Sequence, residues 1–80
     1  MPTVLRSGGY RFFFYSSDRG EPVHIHVEHA GHSAKVWLNP VRLESSHGFT
    51  RTALAEVVGI VSDHQAQLIG SWNEFFSDEE

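Results

Sequence analysis

The sequence predicts an α+β domain: a small antiparallel β-sheet of about four strands in the order ββββα, covered on one face by a long C-terminal helix. Two changes of rhythm carry this expectation. Apolar and polar residues alternate through Val23–His29 and Ser33–Leu38, the period of strands with one buried face. From Leu54 the apolar residues instead recur at three- and four-residue steps, the period of one helix face. A third observation sets the scale: 80 residues with no repeat, linker or low-complexity stretch read as a single domain, 1–80.

Thr3–Arg6 is a short β-prone piece, closed by the turn signal Ser7-Gly8-Gly9. Tyr10–Tyr15 is an aromatic run too short for a helix before the Ser16–Gly20 loop, so it reads as a strand. Pro22 opens the next strand, where a missing N–H is tolerated. Ala30-Gly31-His32 is a tight hairpin turn, and Ser33–Leu38 returns until Asn39-Pro40 stops it. Val41–Phe49 reads as a connection with at most a short extended piece at Val41–Leu43. The helix stripe is Leu54, Val57, Val58, Val61, Gln65, Leu68, Ile69, Trp72, Phe75 and Phe76, with Thr50 or Thr52 as N-cap. Ser62-Asp63-His64-Gln65 looks like a capping box and offers a break, but the stripe stays in phase across it. One helix is therefore expected, with two as the alternative.

Alternate side chains of a strand point to opposite faces. One set, Tyr10, Phe12, Phe14, Val23, Ile25, Val27, Ala34, Val36 and Leu38, is uniformly apolar and forms the expected core under the helix. The other set is Arg11, Phe13, Tyr15, His24, His26, Glu28, Lys35 and Trp37. No second layer remains to cover it. Aromatics mixed with Arg, Lys, His and Glu have the composition of a binding surface, so these eight residues are the predicted contact face.

Composition narrows the function classes. No cysteine is present, which removes disulfides and thiolate chemistry. The first residues hold no apolar signal segment, and no apolar run approaches the ~20 residues of a membrane helix. A cytoplasmic location with no membrane partner is the expectation. The net charge of −4 argues against general nucleic-acid binding. The charge is uneven, however: residues 1–45 sum to +1 and residues 46–80 to −5, ending in the acidic tail Asp78–Glu80. Nucleic acid is thus left open as a partner.

His24-Ile25-His26 places two imidazoles on one strand face, about 6.6–6.8 Å apart along the backbone. Such a pair can act as acid and base in RNA cleavage, with Lys35 or Arg11 assisting, which makes His24, His26 and Lys35 the candidate catalytic residues. The same pair can chelate a transition metal, with Glu28 continuing the row as a third ligand. An H-x-H without a fixed third ligand arises readily in a chain with six histidines. No metal and no cofactor are therefore expected, and polar interface residues are the leading reading of the pair. His64 reads as a boundary residue, and His47 has no assigned partner.

Several segments together resemble the small bacterial family described as domain of unknown function 4160. They are Met1–Leu5, Gly9–Ser16, Glu21–Val27, Ala34–Leu38 with Pro40-Val41, and Trp72–Phe76. Members often carry Pro-Pro-His at the third strand; here the run is Pro22-Val23-His24, which keeps the His-x-His. The resemblance implies a partner. Genes of this family commonly lie beside one for a small protein of the domain-of-unknown-function 2442 type. Such pairs are regarded as candidate type II toxin–antitoxin modules, with this family as the toxin. The resulting expectation is a toxin–antitoxin component, more a binder than an enzyme, acting through a complex with a small antitoxin-type protein encoded nearby. The alternatives are a ribonuclease-like or metal-binding enzyme using His24 and His26, and a homodimeric adaptor without activity.

Overall fold

A computed structural model describes residues 3–77; the tail Asp78–Glu80 and the first two residues lie outside them. The class is α+β, with five antiparallel strands where about four were expected and two helices where one was favoured. The strands are β1 (Thr3–Ser7), β2 (Tyr10–Phe13), β3 (His24–His29), β4 (His32–Leu38) and β5 (Val41–His47). Each pairs with its neighbour in sequence, giving the order β1-β2-β3-β4-β5.

The fifth strand is the segment read as a connection. Val41–His47 carries Arg42, Glu44, Ser45, Ser46 and His47, so it lacks the apolar alternation that marks a half-buried strand. Its pairing comes from the turn instead. Leu38 and Val41 are paired directly across the two-residue turn Asn39-Pro40, which reverses the chain at once. Proline ends β4 as expected, but by folding the chain back. The β3–β4 hairpin turns over Ala30 (φ 51°) and Gly31 (φ 82°), both left-handed, and this pins His29 opposite His32.

The register confirms the sorting of faces. Phe12, Val27 and Ala34 lie across from one another, as do Ile25 and Val36. All are buried, with Tyr10, Phe14 and Leu38, against Val57, Val61, Leu68 and Trp72 of the helices. Each fully buried aliphatic or aromatic side chain contributes about 1.5–3 kcal/mol of transfer free energy. The two outer pairings each contain a bulge, between Thr3 and Leu5 on β1 and opposite Lys35/Val36 on β5. The two inner pairings run without interruption.

Helix α1 spans Arg51–Asp63 and α2 spans Gln65–Phe76, separated by His64 alone. Thr50 is the N-cap of α1, accepting a hydrogen bond from the Ala53 N–H at 3.1 Å. At the junction His64 leaves helical geometry (φ −115°), and its Nδ1–H donates to the Ile60 carbonyl at 2.8 Å. The apolar stripe continues across this residue, with Val57 and Val61 buried on α1 and Leu68 and Trp72 on α2. Gln65 then ties α2 to the sheet, its amide donating to the Leu38 carbonyl at 2.6 Å. α1 packs over β4 and β5, and α2 over β3 and β4. Both helices serve the same face of the sheet, and no described helix is long and apolar enough to cross a membrane.

Candidate functional site: the face left open by the helices

On the uncovered face the register sets Arg11 opposite Glu28, Phe13 opposite His26, His26 opposite Lys35 and Lys35 opposite Ser45. His24 stands opposite Trp37, at the end of the sheet where β3 begins. Seven of the eight residues assigned to this face therefore share it, all but Tyr15, and they are not equally presented.

Phe13 is only 4% exposed. β2 ends at Phe13, so Tyr15 lies beyond the strand, and its ring turns edge-on to Phe13 at 5.2 Å and to His26 at 4.6 Å. His26 stacks on Phe13 from the side (5.7 Å), and the Arg11 guanidinium covers it at 4.2 Å. Arg11 is itself held by Glu28 at 2.6 Å. Cross-strand neighbours about 5 Å apart reach over a large ring, which is why Phe13 serves as a floor. The expectation that it offers itself to a partner is corrected accordingly. Tyr15, at 41% exposed, and the half-buried Trp37 and Lys35 remain available.

His24 departs further from expectation. It is fully buried, with its ring 5.6 Å from that of Trp37 and 5.0 Å from that of Trp72 on α2. Trp72 also packs on Phe14 in the core (5.3 Å), so one indole reaches from the covered side to the strand end. Strand parity says which way a side chain points; it does not say what wraps around the end of the sheet. Proton exchange between His24 and a bulky substrate is therefore blocked.

The loop between β2 and β3 supplies the residue that sequence reasoning missed. Ser16–Asp18 forms a short 3₁₀ turn, and Asp18 is buried. Its Oδ2 accepts the Tyr15 N–H at 2.9 Å, which fixes the carboxylate. His26 Nε2 lies 3.1 Å from Asp18 Oδ1 and 3.0 Å from Oδ2. His24 Nε2 approaches Oδ1 to 3.2 Å without forming a hydrogen bond, while its Nδ1–H donates to the Pro22 carbonyl at 2.8 Å. Glu28, expected as the third member beside the two imidazoles, is turned to Arg11. Asp18 takes that place. A signal existed: the loop must return the chain from the end of β2 to the start of β3, so an acid near its apex lands beside His24.

The electrostatics follow from burial and these contacts. Burial alone would raise the Asp18 carboxyl, but the Tyr15 N–H and His26 outweigh it and hold it below the usual carboxylate range. Burial pushes the His26 imidazole below its ordinary value, against the opposing pull of Asp18. Lys35 is raised by its 2.7 Å bond to Glu21, and Glu21 is lowered by the same contact. At neutral pH the cluster thus combines an ionised carboxylate with a neutral His26.

Beside it lies a groove of about 200 Å³, lined by Phe13, Tyr15, His26, Lys35, Ser45 and His47 among others. His47, which had no partner in the sequence, faces this groove because β5 exists. No curated protein and no solved structure matches the chain at a significant level. A family model does match, over residues 9–73, and it includes β2 to β5, Asp18 and all three histidines of β3. The chain therefore belongs to the family described as Domain of unknown function (DUF4160).

Proposed function

We propose that the protein is the toxin component of a bacterial two-protein toxin–antitoxin module, acting in the cytoplasm and docking a small antitoxin-type partner on its open sheet face. The observation that carries this reading is that both helices pack on one side of the sheet. The other side is left uncovered among the described residues, with Tyr15, Trp37 and Lys35 accessible around a shallow groove. Exposed aromatics beside cations are the side chains that dominate binding energy at interfaces. Tyr15→Ala and Trp37→Ala are the informative substitutions, since Phe13→Ala would empty a buried site and test folding instead.

The experiment is co-expression with the product of the adjacent gene, sizing of the complex, and growth of cells making either protein alone or both. The expected result is arrest by this chain alone, relief by the partner, and a 1:1 or higher complex. Each substitution should weaken the complex by about 2 kcal/mol, roughly 30-fold. Normal growth on expression alone, or a complex indifferent to both substitutions, rejects the reading.

A catalytic reading has one observation in its favour: His26 and His47 line the same groove as Lys35. A ribonuclease-like toxin would use these two accessible imidazoles, because His24 is buried. Loss of RNA cleavage in His26→Gln and His47→Gln supports it; intact toxicity in the double variant removes it.

A further inference from the structure

We propose that Asp18, His24 and His26 form a mononuclear site for a divalent transition-metal ion, with zinc as the reference ion. Two imidazole nitrogens and one carboxylate are a donor set for such ions, and three protein ligands leave a position for water or substrate. One donor atom from each residue lies within 4.8 Å of the other two. Zinc bonds of about 2.0–2.1 Å at the tetrahedral angle separate two ligand atoms by about 3.3–3.4 Å. The distances of 3.2 Å from His24 Nε2 to Asp18 Oδ1 and 3.0 Å from His26 Nε2 to Asp18 Oδ2 are close to that edge.

One buried nitrogen of the cluster, His24 Nε2, is orphaned. His24 is fully buried and gives its Nδ1–H to the Pro22 carbonyl, so on the neutral ring Nε2 carries a bare lone pair. That nitrogen lies 3.2 Å from a carboxylate oxygen without being aligned to bond it, and it has no hydrogen-bond partner. Two acceptors this close in a buried site repel, and an unmet buried polar atom is rare in a folded protein. A cation between them removes both costs.

The surroundings have the form that metal sites take. Metal-binding histidines usually donate their other ring nitrogen to a carbonyl or carboxylate, which sets the tautomer and aims the ring. Pro22 does this for His24. The Tyr15 N–H holds the carboxylate, and the rings of Trp37, Trp72 and Tyr15 restrict water around the imidazoles. The His26 side chain is 18% accessible, which gives the ion a route in and opens its remaining position toward the groove. On binding, the neutral His26 ring gives up its Nε2 proton and takes one at Nδ1 by exchange with solvent, and the lone pair freed at Nε2 joins the ion.

The test is titration of the EDTA-stripped full chain with Zn²⁺ by calorimetry and with Co²⁺ by visible absorption. Tryptophan emission serves as a second signal, because two indoles contact His24. One Zn²⁺ per chain is expected, and Co²⁺ should quench the tryptophans at the same stoichiometry. Asp18→Asn keeps an acceptor for the Tyr15 N–H, and His26→Gln alters a partly accessible position; each should weaken binding by about 100-fold or more. Circular dichroism identifies any variant that fails to fold, and the other variant then decides. No saturable binding by the wild-type chain overturns the proposal. So does binding unchanged in a folded variant, which would put the ion on the outer histidines His29, His32 or His47.

Discussion

Replacing His24 by leucine separates a residue kept for stability from one kept for chemistry. The native imidazole buries Nε2 without a partner, which costs about 1–3 kcal/mol. Leucine has nearly the same volume, so it fills the space between Trp37 and Trp72 and removes that cost. Against this, the substitution loses the Nδ1–H bond to Pro22, worth about 1 kcal/mol. The carbonyl released belongs to an exposed residue and can turn to water. It also loses the ring contacts with the two indoles, about 0.5–1.5 kcal/mol in all, offset by the added apolar burial. The balance favours the variant by about 1 kcal/mol, equivalent to about 4–8 °C in Tm for a domain of this size. The assay is urea unfolding followed by tryptophan emission, in EDTA, with the slope compared between the two proteins. A leucine variant less stable by about 2 kcal/mol or more would refute the reasoning, because Nε2 would then have to be satisfied in the metal-free protein.

Other consequences can be checked on the same scale. Ala30 holds a left-handed conformation that costs an alanine about 1 kcal/mol, so Ala30→Asn should raise stability by about 0.5–1 kcal/mol in urea unfolding. Thr50→Ala removes the cap of α1 and should lower stability by about 1 kcal/mol in the same assay. Tyr10 donates to Glu56 at 2.7 Å, and that hydrogen bond, with burial and the nearby charge, raises the phenol above its ordinary value of 10.0. Its contribution is therefore present below pH 10 and lost as pH rises through the raised value. Ultraviolet titration of a Tyr15→Phe protein, in which Tyr10 is the remaining tyrosine, should show Glu56→Gln moving the ionisation back down. Leu68→Ala, at a fully buried position of α2, should cost about 2–5 kcal/mol.

The sequence made the inner strands and the two faces legible because their alternation is strict. Val27 and Ala34 are buried with Phe12 as that pattern requires, and Thr50 caps the helix as its position before the apolar stripe suggests. β5 was hidden because a polar edge strand has no periodicity of its own and is held by a turn and by pairing. The break near Ser62 was outvoted by an unbroken stripe, and it falls at His64 without the capping box that had suggested it. At the site, parity placed His24, His26 and Trp37 correctly relative to the strands. It carried no information about Tyr15 folding back over Phe13, or about Trp72 closing over His24. Asp18 went unnoticed because its place is set by where a loop returns, which alternation does not record.

The bulges of the two outer strands have a consequence for life in a crowded cell. A flat sheet edge is a template on which another chain can lay its own backbone, and repetition of that step builds fibres. Here both margins are kinked by an extra residue, and exposed Arg6 on one side and Arg42 and Glu44 on the other add charge. Polymerisation by strand addition is discouraged at both ends of the meander. The broad side of the sheet, the docking face proposed above, offers no such template, because its backbone groups are already paired between strands.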